Sequence, residues 1–198
     1  MELFLKIFYY LYVAVAITPF AIIFILKNSE IKISIEIWDY VVNNYLIILI
    51  IFAISLFLSW LYIVVVQQCY KDTQSEQICS TEIEIAEPKY IPIYITYFVI
   101  ALSIPYSQEN SIHGWILFSI TYLFIWFLIL KGKFSFFNPY LLICGFNFYE
   151  ATIDSKRSEY ARYKIFLISK QVIKNIKQHD SLIRLNDFTY LDKGEDNG

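Results

Sequence analysis

Charged side chains are scarce in this chain. Only 17% of its 198 residues are Asp, Glu, Lys or Arg, where soluble domains carry nearer a quarter. That scarcity excludes a disordered segment, and 58% hydrophobic residues are more than one core of this size encloses. Glycine and proline number five each, too few for low-complexity linkers, and no internal repeat is present. The three cysteines are odd in number and lack paired spacing, which argues against a disulfide framework and fits a reducing compartment. What is abundant is apolar and aromatic. Aromatics make up 19% of the chain and the mean hydropathy is +0.51, so a bilayer is the expected second solvent.

Four charge-poor runs predict four transmembrane helices over residues 7–26, 43–66, 90–106 and 114–130. The first, Ile7 to Leu26, is long enough to cross roughly 30 Å of hydrocarbon. It is Tyr-rich and lacks a small-residue exit before Lys27, which disfavours a cleaved leader. Pro19 within it predicts a kink whose freed carbonyl is satisfied by neighbouring segments. The third run is the shortest and is bracketed by Pro92 and Pro105. With four crossings and both termini cytoplasmic, fourteen of the sixteen basic residues fall inside and only Lys27 and Lys32 outside, as the positive-inside rule asks. Removing the third crossing would put the termini on opposite sides. The expected location is therefore a membrane, crossed several times, with both ends cytoplasmic.

Outside the spans the hydrophobic period changes. Residues 27–39 form an outer loop with Ile31, Ile33, Ile35 and Ile37 at alternate positions, the pattern of an extended strand lying on the interface. The inner loop from Gln67 to Lys89 carries a net charge of -3, and its Thr81 to Glu87 stretch alternates, predicting a half-buried strand that joins a C-terminal sheet. Residues 131–193 are expected to fold as a small cytosolic antiparallel β module with some helix, α+β in class. Its parts are a strand over 140–154 with a bulge at Gly145, a strand over 163–169, a short helix over 171–178 and a strand over 182–191. Residues 194–198 are read as a flexible tail, and residues 1–130 as the transmembrane domain.

Catalytic and metal chemistry find little support. His113 and His179 are predicted on opposite sides of the membrane, the step from Cys69 to Cys79 matches no zinc or redox pattern, and no Gly-rich phosphate loop or nucleophile elbow occurs. No catalytic residue, metal or cofactor is expected, and a Cys144/His179 pair is the weak exception. The spans hold no ionisable residue to mark an ion path. Ser55 and Ser59, four apart, would let a neighbouring helix approach closely, within the chain or in a homo-oligomer. From Lys156 to Lys177 the balance is +6, which suits anionic headgroups, the acidic inner loop or a cytosolic partner. Lys164, Lys170, Lys174 and Lys177, with the aromatics Phe146, Phe148 and Tyr190, are the candidate partner or lipid contacts. Direct nucleic-acid binding is not expected, because no recognition motif accompanies the charge.

The layout of short-looped spans followed by a small cytosolic β module resembles the KwaA family, the membrane subunit of the Kiwa anti-phage defence system. At residue level the likeness rests on Asn138-Pro139-Tyr140-Leu141-Leu142, Gly145-Phe146-Asn147-Phe148-Tyr149-Glu150, Ile168-Ser169-Lys170, and Leu185-Asn186-Asp187-Phe188-Thr189-Tyr190-Leu191. The resemblance implies a homo-oligomeric sensor in the bacterial inner membrane, a tetramer being the expected size. It also implies a cytosolic DNA-binding effector, KwaB, as the partner that the sensor recruits. An oligomeric channel is the competing reading.

Overall fold

The computed structural model describes residues 2–28, 36–37, 40–41, 44–70, 76–106, 111–131, 137–153, 163–173 and 178–192. The chain divides into two compact units, residues 1–59 with 91–131 and residues 60–90 with 132–198.

The first unit is helical. Helix α1 (Glu2–Ala16) and helix α2 (Thr18–Lys27) share one apolar run but are separate helices broken at Ile17. The break follows from Pro19, which lacks the N–H that would continue the ladder. Residues Glu36–Ile37 (β1) and Tyr40–Val41 (β2) pair as a minimal hairpin, while residues 29–35 of the expected strand lie outside the described residues. Helix α3 (Asn44–Cys69) has 26 residues and begins in this unit. Helix α4 (Glu87–Ser103) has 17 and helix α5 (Ser111–Lys131) has 21.

Three stretches are long and apolar enough to cross a membrane, namely Phe4–Lys27, Tyr45–Cys69 and Ile112–Lys131. Helix α4 is not among them, so among the described residues the candidate crossings by length and hydropathy are three, against the four expected. Wide apolar faces of α3 and α5 are exposed, including Leu49, Phe57, Ile120 and Phe124, as suits helices whose solvent is lipid.

Aromatic packing and end caps hold the helical unit together. Phe118 stacks on Phe24 with ring centroids 4.5 Å apart and on Phe20 at 5.4 Å, and Trp115 meets Phe24 edge-on at 5.4 Å. The Lys27 ammonium donates to the carbonyls of Leu102 and Ile104, closing the carbonyl end of α4 with a cation where the helix dipole favours one.

The second unit is built around a closed five-stranded barrel. In chain order the strands are β3 (Glu76–Ile85), β4 (Asn147–Ile153), β5 (Tyr163–Ser169), β6 (Gln178–Arg184) and β7 (Thr189–Asp192), with the helical turn α6 (Pro139–Ile143) ahead of β4. Around the barrel they run β3-β4-β5-β7-β6 and back to β3. All pairs are antiparallel except β5 with β7, which is parallel. The ten-residue β3 closes the ring by pairing with β4 through Ser80–Ile85 and with β6 through Glu76–Cys79, shifting register between Ser80 and Glu82. Such a bulge supplies the bend that closure requires. The core holds Tyr149, Ala151, Ile153, Ile165, Leu167, Leu182 and Tyr190, with Ile83 and Ile173 packed against it.

Four expectations change here. The module is a closed mixed barrel rather than an antiparallel sheet, because the β5/β7 pairing is parallel and β3, the strand expected from the inner loop, pairs on both its edges. The strand expected over 140–154 begins at Asn147. Before it, Asn138 caps α6 by accepting from the Tyr140 N–H at 2.9 Å, Pro139 opens the turn, and Gly145 at φ +82° ends it. The strand expected over 182–191 is two strands, β6 and β7, joined by a turn in which the Asn186 side chain accepts from the Phe188 N–H at 2.9 Å. The helix expected over 171–178 is not formed at 171–173, and residues 174–177 lie outside the described residues.

Candidate functional site

The side chains of β4 and β5 alternate between the barrel core and the outside, and part of the outer set is covered as well. Phe148, Phe166 and Ile168 point away from the core yet are essentially inaccessible. Their cover comes from the first turn of α4 and from the residues just ahead of α6. Tyr90 stacks on Phe137 at 6.1 Å and meets Phe166 edge-on at 5.3 Å, while Phe137 packs on Phe148 at 4.7 Å. The strand order, first-second-third-fifth-fourth, is that of an OB-type barrel, a fold that takes oligonucleotide or oligosaccharide ligands on the face of its second and third strands. Here those strands are β4 and β5, and the chain's own aromatics occupy that face.

Beside the aromatic patch runs a charged row. Glu84 of β3 and Glu150 of β4 are directly opposite in register, an arrangement that is unfavourable for two carboxylates alone. Lys89 resolves it by ion-pairing with both, reaching Glu150 at 2.7 Å. Lys164 approaches from β5, 3.6 Å from Glu150 and 3.9 Å from Glu84. The Tyr90 hydroxyl donates to the other Glu150 oxygen at 3.3 Å. Hydrogen bonding from Lys89, and then the charges of Lys164 and Lys89, hold the Glu84 carboxyl below its usual range. Bonds to Glu150 and then to Glu84 push the Lys89 ammonium up.

The strand-to-helix junction is equally defined. The Ala86 N–H donates to the Phe148 carbonyl at 2.9 Å, and the Glu87 carboxylate accepts from the Phe148 N–H at 3.0 Å. Glu87 thus ends the β3/β4 ladder with its side chain while occupying the first turn of α4, where a negative charge is favoured.

Among the residues singled out from sequence, Lys164 belongs to this row, with its side chain 55% exposed. Lys170 is exposed and sits 5.3 Å over the Phe146 ring. Burial raises the nearby Cys144 thiol above its usual value, against the lowering effect of the Lys170 charge. Lys174 and Lys177 lie outside the described residues. Phe146, Phe148 and Tyr190, expected as exposed anchors, are instead buried. The reason is that this part of the barrel is packed from both sides, which alternation alone does not disclose. Ser55 and Ser59 are buried, and Ser55 lies 2.9 Å from the Thr18 hydroxyl of α2 in the same chain. Among the described residues no group of three His, Cys, Asp or Glu could hold a metal.

Against known families, the model of the anti-phage protein KwaA matches residues 8–191. The chain belongs to the KwaA family. The match runs through the apolar helices and the barrel alike, so anti-phage defence is the role of the chain as a whole. No curated protein and no solved structure matches it. The resemblance to the KwaA family is confirmed by that match. Sequence reasoning missed Lys89, Tyr90 and Phe137, which sit at the edges of a span and a loop. The available signal was the Glu-Pro-Lys-Tyr run from Glu87, a helix start with charged and aromatic residues in its first turn.

Proposed function

We propose that the protein is the membrane-embedded sensor and scaffold of an anti-phage system, and that its barrel recruits or activates a cytosolic DNA-binding effector of the KwaB kind. The observation that carries this reading is the family match spanning both apolar helices and a barrel whose usual ligand face is filled by its own aromatics. A barrel closed in that way is suited to protein contact through its charged rim rather than to capturing a nucleic acid. Lys170 is an exposed cation for that contact, the basic run from which Lys174 and Lys177 come is the sequence reason to look there, and no catalytic residue or cofactor is assigned.

In this reading α4 is a fourth crossing, both termini are cytoplasmic and the protein assembles as a homo-oligomer in the inner membrane. Support for the fourth crossing comes from the exposed apolar side chains of α4, such as Ile95, Val99 and Leu102, and from its bonds to Lys27 and Ala16 within the helical unit. Phage challenge of cells carrying the chain alone, the effector alone or both is the test. Protection only with both supports recruitment, whereas protection by the chain alone with ion leakage moves the assignment to an oligomeric channel.

A further inference from the structure

The exposed apolar side chains of the barrel are not spread evenly over it. Because β3 is antiparallel to β4 and β4 to β5, the end of β3, the start of β4 and the end of β5 lie together. Ile85 pairs with Tyr149, Tyr149 with Leu167, and Asn147 with Ser169. Ile85 is 62% exposed at this end. Helix α6 runs into the same end, tied back by the Phe146 N–H donating to the Leu141 carbonyl at 3.0 Å. Its Tyr140 and Leu141 are buried, whereas Leu142 and Ile143 are exposed, Ile143 at 60%. Val172, just beyond the end of β5, is 66% exposed. Among the described residues from β3 onward, leaving aside α4 and α5, the remaining exposed large apolar side chain is Tyr163, at the far end of the β4/β5 pair opposite Ile153.

Such exposure matches that of Leu49 and Phe57 on α3, a helix with the length and hydropathy to lie in lipid. Two features of the chain point to lipid as the occupant here too. Residues 60–69, which close the candidate span Tyr45–Cys69, belong to the same compact unit as the barrel. The chain also arrives at this end through Phe137, six residues after Lys131 closes another candidate span, a tether of at most about 20 Å. Beside the apolar surface Lys170 lies 5.3 Å over the Phe146 ring. Exposed apolar groups with a cation at their edge are what interfacial segments present to anionic lipid.

We propose that this end of the barrel, formed by Leu142 and Ile143 of α6 with Ile85 and Val172, is seated in the headgroup region of the bilayer. The apolar side chains dip to the acyl boundary and Lys170 stays with the headgroup phosphates. A partner that docks on Lys170 then does so at the bilayer surface. The seating rests on the membrane reading of the long helices and not on recruitment.

The test is fluorescence quenching on the full chain in bilayer discs of phosphatidylcholine and phosphatidylglycerol, with no effector present. Cys69, Cys79 and Cys144 are changed to Ser, and one environment-sensitive probe is attached at Ile143→Cys, at Val172→Cys or, as the control, at Tyr163→Cys. Tyr163 and Ser169 are the two ends of β5, about 20 Å apart. Lipid brominated near the headgroup is expected to quench about half of the emission at positions 143 and 172 and little at 163, since interfacial segments lie roughly 5–10 Å deep. Aqueous iodide should do the reverse. Iodide quenching at 143 and 172 equal to that at 163 overturns the proposal and leaves this end open to a cytosolic protein. Shielding of both positions from iodide without quenching by brominated lipid overturns it as well, and assigns the cover to a second copy of the chain. Leu142→Glu with Ile143→Glu, both at exposed positions, should keep the melting midpoint of the barrel while clearly lowering the lipid quenching of a probe at 172. Unchanged quenching there overturns the part given to α6. Failure of the seating leaves recruitment standing, and a native chain that does not bind its effector leaves the seating standing.

Discussion

Glu84 and Glu150 face each other across a strand pair, and Lys89 is the group that makes this tolerable. Lys89→Gln is expected to lower the unfolding midpoint of the barrel more than Lys164→Gln, because Lys164 stands farther from both carboxylates. Melting followed by intrinsic fluorescence reads this directly. The pH dependence has a definite sign. The folded Glu84 is held below its ordinary value of 4.5, so its contribution is present above that pH and is lost as pH falls through the depressed folded value. The raised Lys89 contributes below its ordinary value of 10.5 and loses that contribution as pH rises past it. The native midpoint should therefore fall more steeply below pH 4.5 than that of Lys89→Gln, and parallel acid profiles would contradict the network. A Cβ added at Gly145 would meet no atom within 4 Å, while the backbone there sits at φ +82°. Gly145→Ala should thus cost about 1 kcal/mol from backbone strain alone, and Gly145→Asn less. The same residue shows what the sequence disclosed and what it hid. Gly145 was visible as a breaker, but a cap at Asn138 and a proline at the first helical position mark it as the end of a helical turn rather than a strand bulge.

Among the elements, β3 carries the most consequence, since it lies between α3 and α4 in the chain and yet supplies one wall of the barrel. The alternating Thr81 to Glu87 stretch disclosed a strand and its destination, and the structure adds that its two isoleucines are not equivalent. Ile83 packs on the core, whereas Ile85 is 62% exposed. Ile83→Asp is expected to destabilise the barrel by about 1–3 kcal/mol, and Ile85→Asp to leave its midpoint nearly unchanged, as measured by limited proteolysis or melting. Removing everything after residue 131 would leave β3 without either neighbour, so truncation is a poor probe of this protein. In the helical unit, a methyl group at Gly114 would lie 2.8 Å from the Tyr106 ring and 3.1 Å from the Pro105 carbonyl. Gly114→Val should accordingly weaken the α4 to α5 turn. The three long apolar stretches were readable from charge-free runs, because lipid imposes length and hydropathy together. The parallel β5/β7 pair was not, since it is non-local and leaves no period in the sequence. The double-sided burial of Phe148 and Phe166 was hidden for the same reason.

For the whole molecule, orientation and recruitment are the claims at stake. With both termini inside, Cys69, Cys79 and Cys144 should resist impermeant thiol reagents in intact cells, and a cysteine at Ser34 should react. Labelling of Cys144 from outside would reverse the proposed topology. The recruitment claim is tested most directly by reversing the charges of Lys170, Lys174 and Lys177 to Glu in the full chain and purifying it with its effector from the membrane. Lys170 is not part of the Glu84–Lys89–Glu150 row, so the barrel should keep its protease resistance while effector recovery and protection both fall at least tenfold. Undiminished effector recovery with a folded, charge-reversed barrel would contradict docking through the basic rim.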